Sequence, residues 1–328
     1  MGCVGPRRAP AAQGGGIVTT LKDVARAAGV DVSTVSRALS GDPRVAAATR
    51  ERIAARAAAL SYRPNEAARR LRAGATRTVW FLAGGLDNPI ECEPVLRGVE
   101  RLAAAGYDGL MAVHRGDPAI EQRLLSHLER GVADGAILIP GFSGTHPQVE
   151  SLVRRQFPLV FLDRHPAGFP APTVTTDNAA AVRALIAAGE AAGVARWVTF
   201  LKDGNAVARL RQETAESVLA ARGRPWLRAA AVTAAFVAEG TVGLLGESDA
   251  EIAASPWIAG VPPERRVAVL FDRWQASVLP AAVARVARQD FAAMADRAVD
   301  RVLGMLAGER WTVATDRIPL RGIEALVG

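Results

Sequence analysis

The chain has 328 residues, of which half are hydrophobic, and its formal net charge is +7. This length accommodates one small domain and two larger lobes, while two isolated cysteines exclude a disulfide framework and suit a reducing cytoplasm. Residues 1–16 are rich in glycine and alanine but carry no long apolar run, so neither a signal peptide nor a membrane span is predicted. We expect this segment to be a disordered tail.

Residues 20–39 read TLKDVARAAGVDVSTVSRAL and have the spacing of a helix-turn-helix. Thr20 followed by Asp23 predicts a helix that opens near Leu21, with the threonine hydroxyl accepting a hydrogen bond from a free backbone N–H of the first turn. Apolar residues then recur at i, i+3, i+4 and i+7. Gly29 supplies the left-handed backbone conformation that the turn needs.

A second short helix is predicted to begin at Asp31 or Val32. Its inward face consists of Val35, Ala38 and Leu39. The outward face, which suits the major groove of DNA, consists of Val32, Ser33, Ser36 and Arg37. Taken alone, the same pattern also fits an ordinary helical hairpin inside a larger bundle.

The third predicted helix covers residues 46–60 and presents arginines on its outer face. A proline at position 64 ends this part of the chain, because the residue before a proline is displaced from the helical region. Residues 65–74 form a further helix-competent segment with three arginines, too short to hold as an isolated helix in water.

The positive charge of the chain is confined to its first quarter. Residues 1–77 hold 14 Lys and Arg against 5 Asp and Glu, a net charge of +9, whereas residues 78–328 have a net charge of −2. This segregation indicates that the N-terminal domain binds a polyanion, with phosphate contacts supplying salt-dependent affinity.

From residue 78 onward, short apolar runs alternate with helical stretches such as 93–105 and 119–130. Six runs are predicted as buried parallel strands, at residues 79–83, 109–113, 136–139, 159–162, 197–201 and 267–271. This alternation predicts doubly wound α/β sheets, whose ligands lie beyond the carboxyl ends of the strands. The last predicted strand is 318–320, and because no extra helix is expected after it, a dimer is predicted rather than a tetramer.

Four segments read LKDVARAAGVDVSTVSRAL, RVAAATRERIAARAAALSYRPNEAARRLRAG, TRTVWFLAGGLDNP and VTTDNAAA. Together they resemble the lactose-repressor (LacI/GalR) family, most specifically over residues 21–74. The resemblance implies a cytoplasmic homodimeric transcription regulator with an all-α helix-turn-helix head, a hinge helix, and a two-lobed core similar to periplasmic sugar-binding proteins.

The expected domain organisation follows from this resemblance. The helix-turn-helix domain would cover residues 17–63, the hinge helix and linker 64–76, and the effector-binding and dimerisation core 77–328. Lobe 1 of the core would comprise residues 77–174 and 291–312, and lobe 2 would comprise 175–290 and 313–328. Crossings between lobes are expected near Thr175, at 289–291 and at 311–313.

The resemblance also implies roles in binding a double-stranded DNA operator. Val32, Ser33 and Arg37 would contact base edges, since arginine suits guanine and valine a thymine methyl. The residues expected to hold phosphates are Thr20, Thr34, Ser36 and Asn65. Leu71 would wedge between base pairs in the minor groove, with Ala68 small enough for close approach. Leu71 as a capping contact onto the core is the alternative.

The effector cleft departs from the family pattern. Ile90-Glu91 replaces an aromatic pair that would stack on a ligand ring, and the polar strand-end pair expected around residues 236 and 237 is Phe236-Val237. The residues that match a sugar-like effector site are Asp163, Arg211, Asp272 and Gln289. Carboxylate and guanidinium groups suit hydroxyl or acid ligands. Each of the four residues also fits a lobe-crossing hydrogen bond or a surface charge.

Catalysis is not predicted. Asp163-Arg164-His165 lacks a serine in a nucleophile elbow and a second histidine at metal-ligand spacing, and the glycines at 84, 85 and 98 form no dinucleotide fingerprint. We therefore expect no cofactor and no metal. Three hypotheses remain: an effector-responsive repressor, a DNA-binding regulator with a degenerate cleft, and a small-molecule binding module. The sequence does not decide between induction and co-repression.

Overall fold

The structure, a computed structural model, describes residues 19–63, 74–85, 89–142, 144–166, 168–201, 205–247, 249–271 and 277–327. The chain divides into two compact units, Met1–Gly74 and Ala75–Gly328. The boundary between them lies within the predicted linker. Among the described residues, no helix has the length and apolar character that crossing a membrane requires.

The first unit, the head, contains a three-helix bundle. Its helices are α1 (Leu21–Ala28), α2 (Val32–Leu39) and α3 (Ala47–Ala59). The apolar stripes predicted for these helices meet in one small core formed by Val24, Ala25, Val35, Ala38, Val45, Ile53 and Ala57. The helix-turn-helix prediction is therefore confirmed as structure.

The N-terminus of α1 is a capping box between Thr20 and Asp23, as predicted. The Thr20 hydroxyl also donates to Asp23 Oδ2 at 2.7 Å, and the Thr20 amide donates to the same oxygen at 3.0 Å. A carboxylate is the stronger acceptor, so it takes both donors. Gly29 ends α1 at φ +66°, as the turn requires.

The second unit contains two sheets with helices on their faces. The first sheet has the strand order β11-β5-β4-β3-β1-β2, with all neighbours parallel. Its strands are β1 (Thr78–Ala83), β2 (Asp108–Val113), β3 (Gly135–Leu138), β4 (Leu159–Leu162), β5 (Thr173–Thr176) and β11 (Thr315–Ile318). The helices of this lobe are α4 (Pro89–Ala104), α5 (Pro118–Glu129), α6 (Pro147–Arg154) and α11 (Phe291–Leu306).

The second sheet has the order β12-β10-β9-β8-β6-β7, and only β12 runs antiparallel to its neighbour among the described strands. Its strands are β6 (Arg196–Thr199), β7 (Trp226–Arg228), β8 (Val242–Gly246), β9 (Arg266–Phe271), β10 (Val283–Arg288) and β12 (Gly322–Val327). The α-helices of this lobe are α7 (Asn178–Ala191), α8 (Ala206–Ala221), α9 (Ala234–Val237) and α10 (Asp249–Ala253). Short 3-10 turns lie at Ala229–Ala231, Ile258–Gly260 and Pro263–Arg265.

The prediction of two doubly wound parallel sheets is confirmed, but the last crossing between lobes lies later than predicted. Because β11 pairs with β5 in the first sheet, the chain passes to the second sheet between Ile318 and Gly322, not at 311–313. The single strand predicted at 318–320 is replaced by β11 and β12, with the crossing between them. Asp316 of β11 accepts hydrogen bonds from Arg297 and Arg301 of α11, which ties this late strand to lobe 1.

Candidate nucleic-acid interface and interlobe site

Helix α2 presents the face predicted to read DNA. Val35 and Ala38 are buried in the head core. Val32, Ser33 and Arg37 are exposed, whereas Thr34 and Ser36 are half-buried. The exposed side chains share one side of a short helix that the rest of the bundle holds in place. This is the geometry that a groove-reading helix requires.

Asp31 organises the start of α2. Its Oδ1 accepts from the amides of Ser33 and Thr34 at 2.8 and 3.0 Å, and its two oxygens also accept from their hydroxyls at 2.5 and 2.8 Å. These bonds, led by the Ser33 hydroxyl, hold the pKa of Asp31 far below its usual range. The two hydroxyls predicted to meet DNA thus donate to the chain's own carboxylate. The sequence indicated Asp31 only as a helix start.

Arg37 forms no ion pair with any residue that the structure describes, in contrast to Arg44. Asp42 takes Arg44, whose Nη2 lies 2.6 Å from Oδ2, and this bond lowers the pKa of Asp42 to about 2. Arg50 of α3 is likewise engaged, donating to the carbonyls of Val45 and Asp42. The exposed guanidinium of Arg37 is therefore available to an external acceptor.

The hinge predictions lie outside the described residues. Asn65, Ala68 and Leu71 fall in the undescribed stretch 64–73. Their predicted roles at phosphates and as a minor-groove wedge stay predictions.

In the second unit, polar residues at the carboxyl ends of β4 and β8 come together with one residue each of α4 and α8. We define the interlobe site as Glu91, Asp163 and Arg164 from lobe 1, with Arg211 and Glu247 from lobe 2. Asp163 follows β4 in a left-handed conformation, at φ +65°. Its amide donates to Val174 and its carbonyl accepts from the Thr175 hydroxyl. A left-handed conformation is unfavourable for a residue with a side chain, and these two hydrogen bonds hold Asp163 in it.

The carboxylate of Asp163 lies in a desolvated position between charges of both lobes. Burial raises its pKa, Arg164 and Arg211 act to lower it, and Glu247 and Glu91 act to raise it. Burial disfavours the ionised form and outweighs the two cations here. All five side chains are therefore electrostatically coupled.

Glu91 occupies the region where the resemblance implied an aromatic residue. It is buried, and its Oε2 accepts from the amides of Gly84 and Gly85 after β1. Its Oε1 accepts from Arg164 Nη2 at 3.0 Å. A Cβ at position 84 would lie 2.7 Å from Oε2, so glycine is needed for the carboxylate to seat here. Sequence reasoning noted that Glu91 removes the stacking but missed the contacts that its carboxylate makes.

Arg211 is buried and held from several directions. Its Nε donates to Asn178 Oδ1 at 2.7 Å and its Nη1 to Glu247 Oε1 at 2.8 Å. Its Nη2 lies 3.4 Å from Gln289 Oε1, and its guanidinium carbon lies 3.8 Å above the Phe271 ring. The guanidinium is thus fixed on the ring face by three hydrogen bonds and a cation–π contact.

Gln289 links the lobes where the chain crosses between them. Its Oε1 also accepts from the hydroxyl of Thr176, the last residue of β5, at 2.6 Å. The structure therefore brings Asp163, Arg211 and Gln289 together, and for Gln289 it shows the lobe-crossing hydrogen bond that was the alternative. Asp272, the fourth predicted residue, lies outside the described residues.

The placement of the strand-end pair at Phe236-Val237 was wrong. These two residues belong to the short helix α9, and β8 ends at Gly246, directly before Glu247. The sequence pattern that could have located this strand end is the apolar run VGLLG followed by an acidic residue. No strand was predicted in that run, because glycine weakens a strand pattern.

His165 and His114 both make contacts within lobe 1. His165 lies 3.1 Å from the Phe169 carbonyl and its ring contacts Phe161 edge-on. His114 is buried, accepting from the Gly116 amide while its other ring nitrogen lies 3.1 Å from the Ile139 carbonyl. Within the described ranges, no group of three or more His, Cys, Asp or Glu is arranged to hold a metal ion.

Residues 20–65, which contain the helix-turn-helix, match the family described as bacterial regulatory proteins, lacI family. The match covers the head, and the rest of the chain is compared through its relatives. Over 165 residues the chain is 36% identical to the HTH-type transcriptional regulator PtxS of Pseudomonas plecoglossicida, covering 50% of this chain and 48% of the relative. The chain spans about half the length of the curated relatives it matches.

Solved structures share the fold of this chain. The lac repressor dimer bound to operator and the anti-inducer ONPF is 19% identical with a TM-score of 0.73, covering 93% of this chain and 97% of that chain. A periplasmic binding protein/LacI transcriptional regulator from Alkaliphilus metalliredigens QYMF, complexed with D-xylulofuranose, is 14% identical with a TM-score of 0.61. It covers 77% of this chain and 99% of that chain. The predicted two-part architecture is thereby confirmed.

Proposed function

We propose that this protein is a sequence-specific DNA-binding transcription regulator, a repressor that binds a pseudo-palindromic operator as a homodimer. The observation that carries the proposal is helix α2, whose exposed Val32, Ser33 and Arg37 stand on a bundle that matches the lacI family. The net charge of +9 on residues 1–77 supplies the non-specific attraction to phosphate. The protein would act in the cytoplasm, where its DNA is.

We further propose that a small, sugar-like effector binds at the interlobe site and controls the head. Strand-end polar groups from both lobes converge there, which is where ligands of doubly wound sheets bind. A ligand that binds one arrangement of the lobes more tightly shifts the population of that arrangement. Catalysis is not part of the proposal.

A second candidate is a regulator without an effector. Its support is the internal engagement of Arg211, whose guanidinium bonds to Asn178, Glu247 and Gln289. A screen of sugars, nucleosides and organic acids by thermal shift separates the two candidates. Stabilisation by any class favours the effector-responsive regulator.

The DNA-binding proposal is tested by Arg37→Ala. We expect this substitution to cost roughly 1–3 kcal/mol in binding to the selected operator, because a bidentate contact to a base edge is lost. The operator is first selected from random duplexes with the full-length protein, and affinity for operator and scrambled duplex is then measured by fluorescence anisotropy.

Arg44→Ala is the matched control, since it removes the same charge from an arginine that already pairs with Asp42. It should lower affinity for both duplexes similarly and keep the discrimination between them. Undiminished discrimination in Arg37→Ala would overturn the assignment of α2 as the reading helix.

A further inference from the structure

The charges of the interlobe site do not balance. Among its described residues the site holds three carboxylates, Glu91, Asp163 and Glu247, against two guanidinium groups, Arg164 and Arg211. A ligand entering the site meets an excess of negative charge. Such an excess favours a ligand that carries a positive charge.

Arg164 already binds acceptors within lobe 1. Its Nη2 donates to Glu91, its Nη1 lies 3.4 Å from the Pro140 carbonyl, and its Nε lies 3.5 Å from Asp163 Oδ2. Glu91 is buried and accepts two backbone amides as well, so it cannot turn to solvent without leaving those amides unpaired. An anionic ligand would therefore compete with a built-in carboxylate for this cation.

Arg211 is committed within lobe 2 in the same way. Its Nη1 donates to Glu247, whose side chain is 36% exposed and is thus the more easily displaced of the two partners. An anionic ligand would therefore compete with Glu247 for the charge of Arg211. Both guanidinium groups are neutralised before any ligand arrives.

Asp163 is the least engaged of the three carboxylates among the described residues, with a 3.5 Å ion pair to Arg164 Nε. No hydrogen bond from a described residue reaches its carboxylate, although its side chain is only 16% exposed. A buried carboxylate without a strong donor is costly, and a donor supplied by a ligand relieves that cost. A charged N–H donor forms a hydrogen bond roughly twice as strong as a neutral one.

From these contacts we propose that the interlobe site prefers a polyhydroxy ligand bearing an ammonium group, such as an amino sugar, and rejects sugar acids and sugar phosphates. The ammonium would bind Asp163, and ligand hydroxyls would take the remaining polar groups. This inference rests on the proposed effector function and names the class of ligand for that site.

The test uses matched probes on the full-length protein. The glucose, galactose and mannose series are each compared as neutral sugar, 2-amino sugar, uronate and 6-phosphate, by thermal shift and isothermal titration calorimetry near neutral pH. In the series that fits, we expect the amino sugar to bind about tenfold more tightly than its neutral parent, equivalent to about 1.4 kcal/mol. The uronate and the phosphate should give no binding.

Three variants sharpen this test. Asp163→Asn should abolish the preference for the amino sugar over the neutral parent. Glu247→Gln frees the charge of Arg211 and should allow the uronate to bind. Glu190→Gln is the matched control, because Glu190 pairs with Arg222 and Arg224 near the far end of α7 and should leave the wild-type order unchanged.

The outcomes distinguish this inference from the function on which it rests. Tighter binding of a uronate, a phosphate or a neutral sugar than of the amino sugar overturns the charge preference while effector binding stands. Absence of binding across all three series overturns the amino-sugar preference, and absence of stabilisation across the wider panel of sugars, nucleosides and organic acids overturns effector binding as well. Neither result bears on the DNA-binding test with Arg37→Ala.

Discussion

At the residue scale, one carboxylate in each candidate site holds nearby backbone amides in place. Asp31 holds the start of α2 by accepting from the amides and hydroxyls of Ser33 and Thr34. Glu91 does the same for the Gly84 and Gly85 amides. In both places a side chain of the chain itself fills a group of donors that an anion would otherwise take.

The position of Asp31 leads to a prediction about DNA affinity and the stability of α2. Asp31→Asn keeps an acceptor for the helix amides but removes a negative charge beside the proposed DNA surface, so it should raise affinity for non-specific duplex DNA. Asp31→Ala should instead destabilise α2, because the amides of Ser33 and Thr34 lose their partner. Anisotropy at low salt measures the first effect, and hydrogen exchange of α2 in the full-length protein measures the second.

An Asp31→Asn protein that binds scrambled DNA no better than the wild type would place Asp31 away from the phosphates. An Asp31→Ala protein with unchanged exchange in α2 would show that the carboxylate does not hold the helix start.

How far single residues could be predicted depended on the range of their contacts. Asp31 and Thr20 act on neighbours two or three positions away, and their place at helix starts was read from spacing. Asp163, Arg211 and Gln289 were read by resemblance, and the structure brings them together. Glu91 and Glu247 were missed because their partners, Arg164 and Arg211, lie 73 and 36 positions away in sequence.

At the scale of elements, the predicted helices and strands were those with strong periodicity or long apolar runs. Three of the missed strands lacked that signal: β10 reads VARVAR, β5 reads TVTT and β7 has three residues. Such strands form because neighbours in the sheet supply the burial and the hydrogen bonds. β11, which reads TDRI, is the clearest example, since its register against β5 and its ion pairs with α11 hold it in lobe 1.

The attachment of β11 predicts a pH-dependent stability. Bonds from Arg301 and then Arg297 lower the pKa of Asp316 from 3.8 to about 2. Because the folded-state pKa is the lower one, the carboxylate contributes stability above its unfolded pKa, and the contribution is lost as the pH falls toward 2. Asp316→Asn should therefore reduce the free energy of unfolding at pH 7 by about 2 kcal/mol.

Urea unfolding of both proteins between pH 3 and pH 7 measures this difference. It should stay constant above about pH 5 and shrink below about pH 4. A difference that is the same at every pH would mean that the variant acts through packing rather than through the charge of Asp316.

At the scale of the whole molecule, the two units differ in net charge and in fold. The positive charge lies in residues 1–77, and the two-sheet unit carries a small negative net charge. The segregated charge and the helical spacing of apolar residues were visible in the sequence. They were enough to predict the three-helix head and DNA as its partner. The charge pattern of the interlobe site could not be predicted, because it arises only when strand ends from two sheets meet.

The proposed homodimer makes the last prediction. A two-fold dimer presents two copies of α2 to two half-sites related by the same symmetry. Scrambling one half-site of the selected operator should therefore weaken binding far more than twofold, since one reading helix loses its base contacts while both heads still meet phosphates. Anisotropy measures the loss, and sedimentation of the complex should give two chains per duplex. Equal affinity for the intact and half-scrambled operators, or one chain per duplex, would rule out symmetric reading.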